Sequence, residues 1–190
     1  MADKVRFGIS NVHYAVWDTE QSEYGTPVAL PGAVQLTTTA EGDQSVFYAD
    51  NVPYFTVDTN AGYSGNLEVA LIDDTFMTDV LGLTVDATSG LTYESSDAKP
   101  KSIALLFEIK GDVNNRRIVL YNVTLSRPST EANTQTESAD PDTVTLEFKA
   151  IARAFTVSGA TKNVIKAHMD STNATKYAAF MTEVPIPGVA

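Results

Sequence analysis

Between residues 102 and 125 two apolar runs flank the pentapeptide Gly111-Asp112-Val113-Asn114-Asn115, and a sequence of that form has few alternatives to a β-hairpin. Ile103, Leu105, Phe107 and Ile109 recur at every second position, so an extended chain directs all four to one side. The pentapeptide supplies the residues that tolerate a tight reversal. In the return run Ile118, Leu120 and Asn122 alternate with Val119, Tyr121 and Val123. Both sides are apolar there, which predicts a strand covered on both faces.

The same period of two runs through much of the chain. It predicts strands over residues 5–17, 33–39, 46–48, 54–59 and 67–72, with Pro31-Gly32 turning the chain before the second. Val144, Leu146 and Phe148 predict one long strand over 143–157. A short helix is expected after Asp73 or Asp74 as N-cap, with Phe76, Met77, Val80 and Leu81 on one face and Gly82 as its stop. A closing helix is expected over 173–181, ended by Pro185 and Pro187. The expected fold is mainly β. It is a single domain over 1–190, a β-sandwich or partly closed barrel with a flanking short α-helix. Residues 128–142 form a polar tract without Lys, Arg or a large apolar side chain, read as a surface linker, and 182–190 as a C-terminal tail.

Charge narrows the function. The 190 residues carry a net charge of −11, and residues 7–98 hold 14 Asp and Glu but no Lys or Arg. Residues 99–190 carry 11 Lys and Arg against 9 Asp and Glu. Ordinary DNA binding needs clustered cations to displace phosphate counterions, and half of this chain has none. Two readings stay open: a well-solvated acidic half, or a dipolar subunit whose unlike faces meet head to tail. Cys is absent, which excludes disulfides and thiolate metal sites. Nowhere do ~18 consecutive residues form an apolar membrane-spanning run. The first residues lack a signal-peptide core, so synthesis and assembly in the cytoplasm are expected.

Catalytic signatures are missing as well. His13 and His168 have no spaced partner of the HExxH kind. Asp58-Thr59-Asn60-Ala61-Gly62 starts like a calcium loop, but Tyr63 and Val69 stand where Gly and a bidentate Glu belong, so a turn is expected. There is no nucleophile elbow, phosphate-binding glycine loop or dinucleotide fingerprint. No enzyme activity, metal or cofactor is therefore expected. Arg116-Arg117 is the only adjacent basic pair, read as a solvated strand end or as an intersubunit salt bridge worth roughly 0–1 kcal/mol if exposed.

Several runs, in their order, resemble the major tail protein (tail-tube protein) family of siphophages that infect Gram-positive bacteria. They are Asn11-Val12-His13-Tyr14-Ala15, Tyr24-Gly25-Thr26-Pro27-Val28-Ala29-Leu30-Pro31-Gly32-Ala33, Phe47-Tyr48-Ala49-Asp50-Asn51-Val52-Pro53-Tyr54 and Tyr63-Ser64-Gly65-Asn66-Leu67-Glu68-Val69-Ala70. Leu105-Leu106-Phe107-Glu108 with Gly111-Asp112, and Arg117-Ile118-Val119-Leu120-Tyr121-Asn122-Val123, complete the set. The resemblance spans roughly residues 10–157, and the immunoglobulin-like module some relatives carry is not expected in these 190 residues.

The resemblance implies a structural virion protein: subunits, six to a ring, that stack into the tail tube through which DNA is ejected. Its partners would be itself, the tape-measure protein and the tail initiator and terminator proteins. DNA would pass without specific binding, and no membrane would be involved. It further implies a long connection, best matched by residues 40–64, that reaches the adjacent ring. The candidate contact residues are Phe47, Tyr48, Asp50, Tyr54, Phe55 and Tyr63, joined by Arg116 and Arg117; the lumen-facing residues stay unassigned. From another class, a non-catalytic carbohydrate-binding or adhesin-like β-sandwich module remains the alternative reading.

Overall fold

A computed structural model describes residues 7–129 and 142–188; most of the polar tract 128–142 and the first six residues lie outside them. The chain is mainly β, with antiparallel ladders throughout. Its strands are β1 (Phe7–Asp18), β2 (Glu23–Tyr24), β3 (Val28–Ala29), β4 (Ala33–Glu41), β5 (Gln44–Ala49), β6 (Val52–Asp58) and β7 (Gly62–Val69). After α1 (Asp74–Phe76) and a π-helical turn (Met77–Leu81) come β8 (Thr84–Val85), β9 (Thr92–Tyr93), β10 (Ile103–Lys110) and β11 (Arg117–Leu125). The chain then adds β12 (Val144–Ala150), β13 (Arg153–Val157), β14 (Ala160–Val164), β15 (Lys166–Met169) and α2 (Ala174–Ala179).

The central hairpin β10–β11 is the axis of the fold. On one side of it β1 pairs with β10; on the other, β11 pairs first with β15 and then with β12, which leads to β7 and β4. The sheet curls so that Ile9 of β1 and Val34 and Leu36 of β4 line one cleft, yet no ladder joins β1 to β4 among the described residues. The barrel is thus open along that seam.

Both faces of the hairpin are buried, as its two-sided apolar pattern predicts. Ile103, Leu105, Phe107, Ile118 and Leu120 face the inner core with Tyr14, Leu67, Leu146, Phe148 and, from the helical segment, Phe76, Val80 and Leu81. Ala104, Leu106, Val119 and Tyr121 face outward and are covered by Phe155 of β13 and by Phe180, Met181 and Val184 of the C-terminal segment. Each such burial is worth about 1.5–3 kcal/mol before the entropy of ordering is set against it. The Tyr121 hydroxyl donates to the Pro185 carbonyl and so pins that segment down.

One register differs from simple alternation. Asn122 adopts φ 48°, and the ladder slips between Ile103 and Leu105. This β-bulge moves Val123 to the inner face beside Ile118 and Leu120, instead of the outer face with Tyr121. The long strand expected over 143–157 is likewise two strands. Ile151 donates to the Asn122 carbonyl and the Asn122 side chain donates to Ala152 O, so the chain leaves the sheet there and β13 crosses to the outer layer.

The short helix starts and stops where its caps dictate. Asp73 accepts from the Phe76 amide at 2.8 Å, and Gly82 ends the segment at φ 82°. Asn173 caps α2 in the same way.

Candidate assembly interface

The β4–β7 ladder continues past the body of the sheet into a projecting two-stranded arm, β5–β6. Its joint is specific. Ala61 donates to Glu41 O, Thr59 donates to Asp43 O, and the Thr59 hydroxyl accepts from the Asp43 amide at 2.8 Å. Gly42 lies against this junction: a Cβ there would sit 1.9 Å from the Thr59 carbonyl oxygen, so no larger residue fits. Gly62 closes an Asx-type turn by donating its amide to Asn60 Oδ1, which is the role expected for residues 58–62. Lys149 of β12 pairs with Glu41 at 2.9 Å and braces the base, and this pairing holds the Glu41 carboxyl below its usual range. At the tip Asp50 and Asn51 both take positive φ, 52° and 61°, as the two-residue turn that matches strand twist requires.

No described residue of the chain covers the arm. Every residue of β6 is exposed, as is all of β5 except the half-buried Ala49. Tyr54 is 74% exposed, Phe47 and Tyr48 62% and Phe55 60%. The register pairs Ser45 with Val57, Phe47 with Phe55 and Ala49 with Val52, so these six share one almost wholly apolar face. The other face mixes Gln44, Val46, Tyr48, Pro53, Thr56 and Asp58. Single exposed apolar residues are ordinary on soluble proteins, but a contiguous apolar face marks an interaction site.

The remaining candidate residues sit elsewhere. Tyr63, at the start of β7, is half-buried against the inner core, with the Lys166 ammonium 5.5 Å from its ring. Arg116 pairs with Asp112 at 2.7 Å, and Arg117 pairs with Glu108 at 2.6 Å. Arg117 also stacks 4.0 Å over the Tyr177 ring and donates to Tyr177 O. Both arginines therefore make contacts within their own chain. His13 Nδ1 lies 3.1 Å from Asn11 O, and His168 is on β15.

Two further surfaces frame the arm. The outward face of β4–β7–β12 is polar, built from Thr37, Thr39, Ser64, Asn66, Thr145, Glu147 and Lys149 in register. At the open seam between β1 and β4 lies a cleft of about 530 Å³ whose wall includes Ile9, Leu36, Phe107 and Ile118. β14 and β15 were not legible as strands. Lys166-Ala167-His168-Met169 does alternate, but four residues are too short a run to signal a strand. Among the described residues no group of three or more His, Asp or Glu is placed to hold a metal ion, and no helix is long and apolar enough to cross a membrane.

No protein-family model matches the chain, and no curated protein matches it. Among solved structures it is similar to a chain of an extracellular contractile injection system, the PVC sheath-tube complex in its extended state. That likeness covers 84% of this chain and 88% of the other, at 10% identity and a TM-score of 0.40.

Proposed function

We propose that this chain is a structural virion protein, the major tail-tube subunit of a long, non-contractile phage tail. In this reading subunits assemble in the host cytoplasm into rings, six to a ring, that stack into the conduit for DNA ejection. The tape-measure protein and the tail initiator and terminator proteins are its partners there.

The observation that carries the reading is the arm. A two-stranded hairpin is marginal on its own in water, and this one exposes an apolar face that the other described residues leave uncovered. A heterologous contact between copies removes that face from water and, when repeated, closes rings and stacks them. Phe47, Tyr48, Asp50, Tyr54 and Phe55 are the residues assigned to the contact with the next ring. The cation-free run over residues 7–98 suits a surface past which DNA slides, because phosphates find nothing to bind there.

Negative-stain microscopy of concentrated protein, alone and mixed with a tail initiator complex, tests the reading. Tubes of uniform width are expected. Persistent monomers under both conditions, together with a clear hit on a glycan array, would replace it with the carbohydrate-binding alternative.

A further inference from the structure

We propose that the arm of one copy seats in the cleft at the open seam of a second copy, with the apolar face of the arm turned inward. The inference rests on the tube-subunit reading for its biological setting, but its geometry stands on two unfilled surfaces of this chain.

The first surface is the apolar arm face described above. The second is the cleft, lined by Ile9, Val34, Leu36, Phe107, Ile109 and Ile118. These side chains belong to the two edges that fail to pair, β1 and β4, and to the central hairpin behind them. The arm of the same chain does not fill this cleft, since its large apolar side chains are all exposed. No described residue of this chain fills the cleft, and its floor of Ile9, Leu36, Phe107 and Ile118 suits an apolar occupant.

Charge selects a second copy. Residues 43–58 of the arm carry Asp43, Asp50 and Asp58 and no Lys or Arg, while Glu41 at the base is held by Lys149. At the cleft stand Lys166, His168 and Arg116. Arg116 is already paired with Asp112, but Lys166 forms no ion pair among the described residues and is exposed. An acidic, apolar hairpin thus meets a cleft with an apolar floor and the Lys166 ammonium at its rim, the pairing that steers and orients association. The contact is heterologous, because the arm and the cleft are different parts of the surface. Each copy that receives an arm still presents its own, so the contact propagates from copy to copy.

The absence of cysteine makes the test clean. One copy carries Phe47→Cys on the arm; a second, mass-tagged copy carries Val34→Cys at the cleft. Both positions are exposed, so the fold tolerates either change. The two are mixed and treated with a mild oxidant, and Thr145→Cys on the polar face replaces Val34→Cys as the control. The expected result is a tagged heterodimer in at least several-fold excess over the control pair. Adding Lys166→Glu to the cleft copy should lower the yield several-fold.

Tubes without excess arm-to-cleft crosslinking would overturn the docking and leave the tube reading standing. Crosslinking without tubes would support the docking and overturn the tube reading. Neither tubes nor crosslinking would overturn both.

Discussion

The chain contains two prominent hairpins with opposite fates. In β10–β11, Leu105, Leu106, Val119, Leu120 and Tyr121 are all buried, and each face of the pair has its own layer of cover. In β5–β6, Phe47, Tyr48, Tyr54 and Phe55 are more than half exposed, and neither face has cover among the described residues. Both are antiparallel and rich in aromatic or β-branched residues. What separates them is acidity and position in the ladder, not strand propensity. The core hairpin sits at the centre of the sheet, whereas the arm extends beyond its end with Asp43, Asp50 and Asp58 along it. Apolar content in a strand is thus a statement about what it must eventually touch, and the partner need not be in the same chain.

The sharpest way to break the contrast is to cut into the core hairpin. Phe107→Ala should destabilise the monomer by about 3–5 kcal/mol through lost burial and the cavity left behind. Urea unfolding followed by far-UV circular dichroism measures it; a loss no greater than that of an arm substitution would erase the distinction. Next in size is Arg153, which stacks 3.7 Å over Trp17 and donates to Ser102 Oγ and to Asn122 Oδ1 at 2.9 and 2.8 Å. It ties the outer layer to the bulge. Arg153→Ala should cost about 1–3 kcal/mol, read from the shift of the denaturation midpoint.

The arm should respond in the opposite sense. Phe47→Ser with Phe55→Ser should change monomer stability by no more than about 0.5 kcal/mol, as for exposed positions generally. The same pair should abolish sedimentable assemblies. Analytical ultracentrifugation beside an unfolding curve separates the two effects.

The smallest effect concerns the brace at the base of the arm. Lys149 and Ser64 hold the Glu41 carboxyl below its ordinary value. A depressed folded value contributes stability above the unfolded value, and the contribution is lost as pH falls through the folded one. Acidification should therefore loosen the arm before it affects the core. A carbon-detected NMR titration should place the Glu41 midpoint below that of an unpaired glutamate, and Lys149→Met should raise it towards the ordinary range, with the Ser64 bond still holding it down in part.

Much of this architecture is legible in the order of residues. The central hairpin, the caps at Asp73 and Gly82, and the strands flanking the arm follow from alternation and turn chemistry. The strand break at Ile151-Ala152 does not, because Asn122 makes it from thirty residues away through its bonds to both. The cleft is illegible for a related reason: Ile9, Leu36 and Ile118 come together only once the sheet has curled. The aromatic cluster of residues 47–55 does announce itself, yet it reads equally as core until the surrounding layers are seen to leave it bare. Tyr63 shows the other outcome, an aromatic next to the arm that the inner core takes up.

Hydrogen exchange of backbone amides, compared between the isolated subunit and its assembled form, addresses the central claim most directly. The account predicts that β10–β11 amides are protected in both states. Amides of β5–β6 should exchange fast in the free subunit and gain protection on assembly. Arm amides already as slow as the core in the monomer, or still fast in the assembled form, would contradict it.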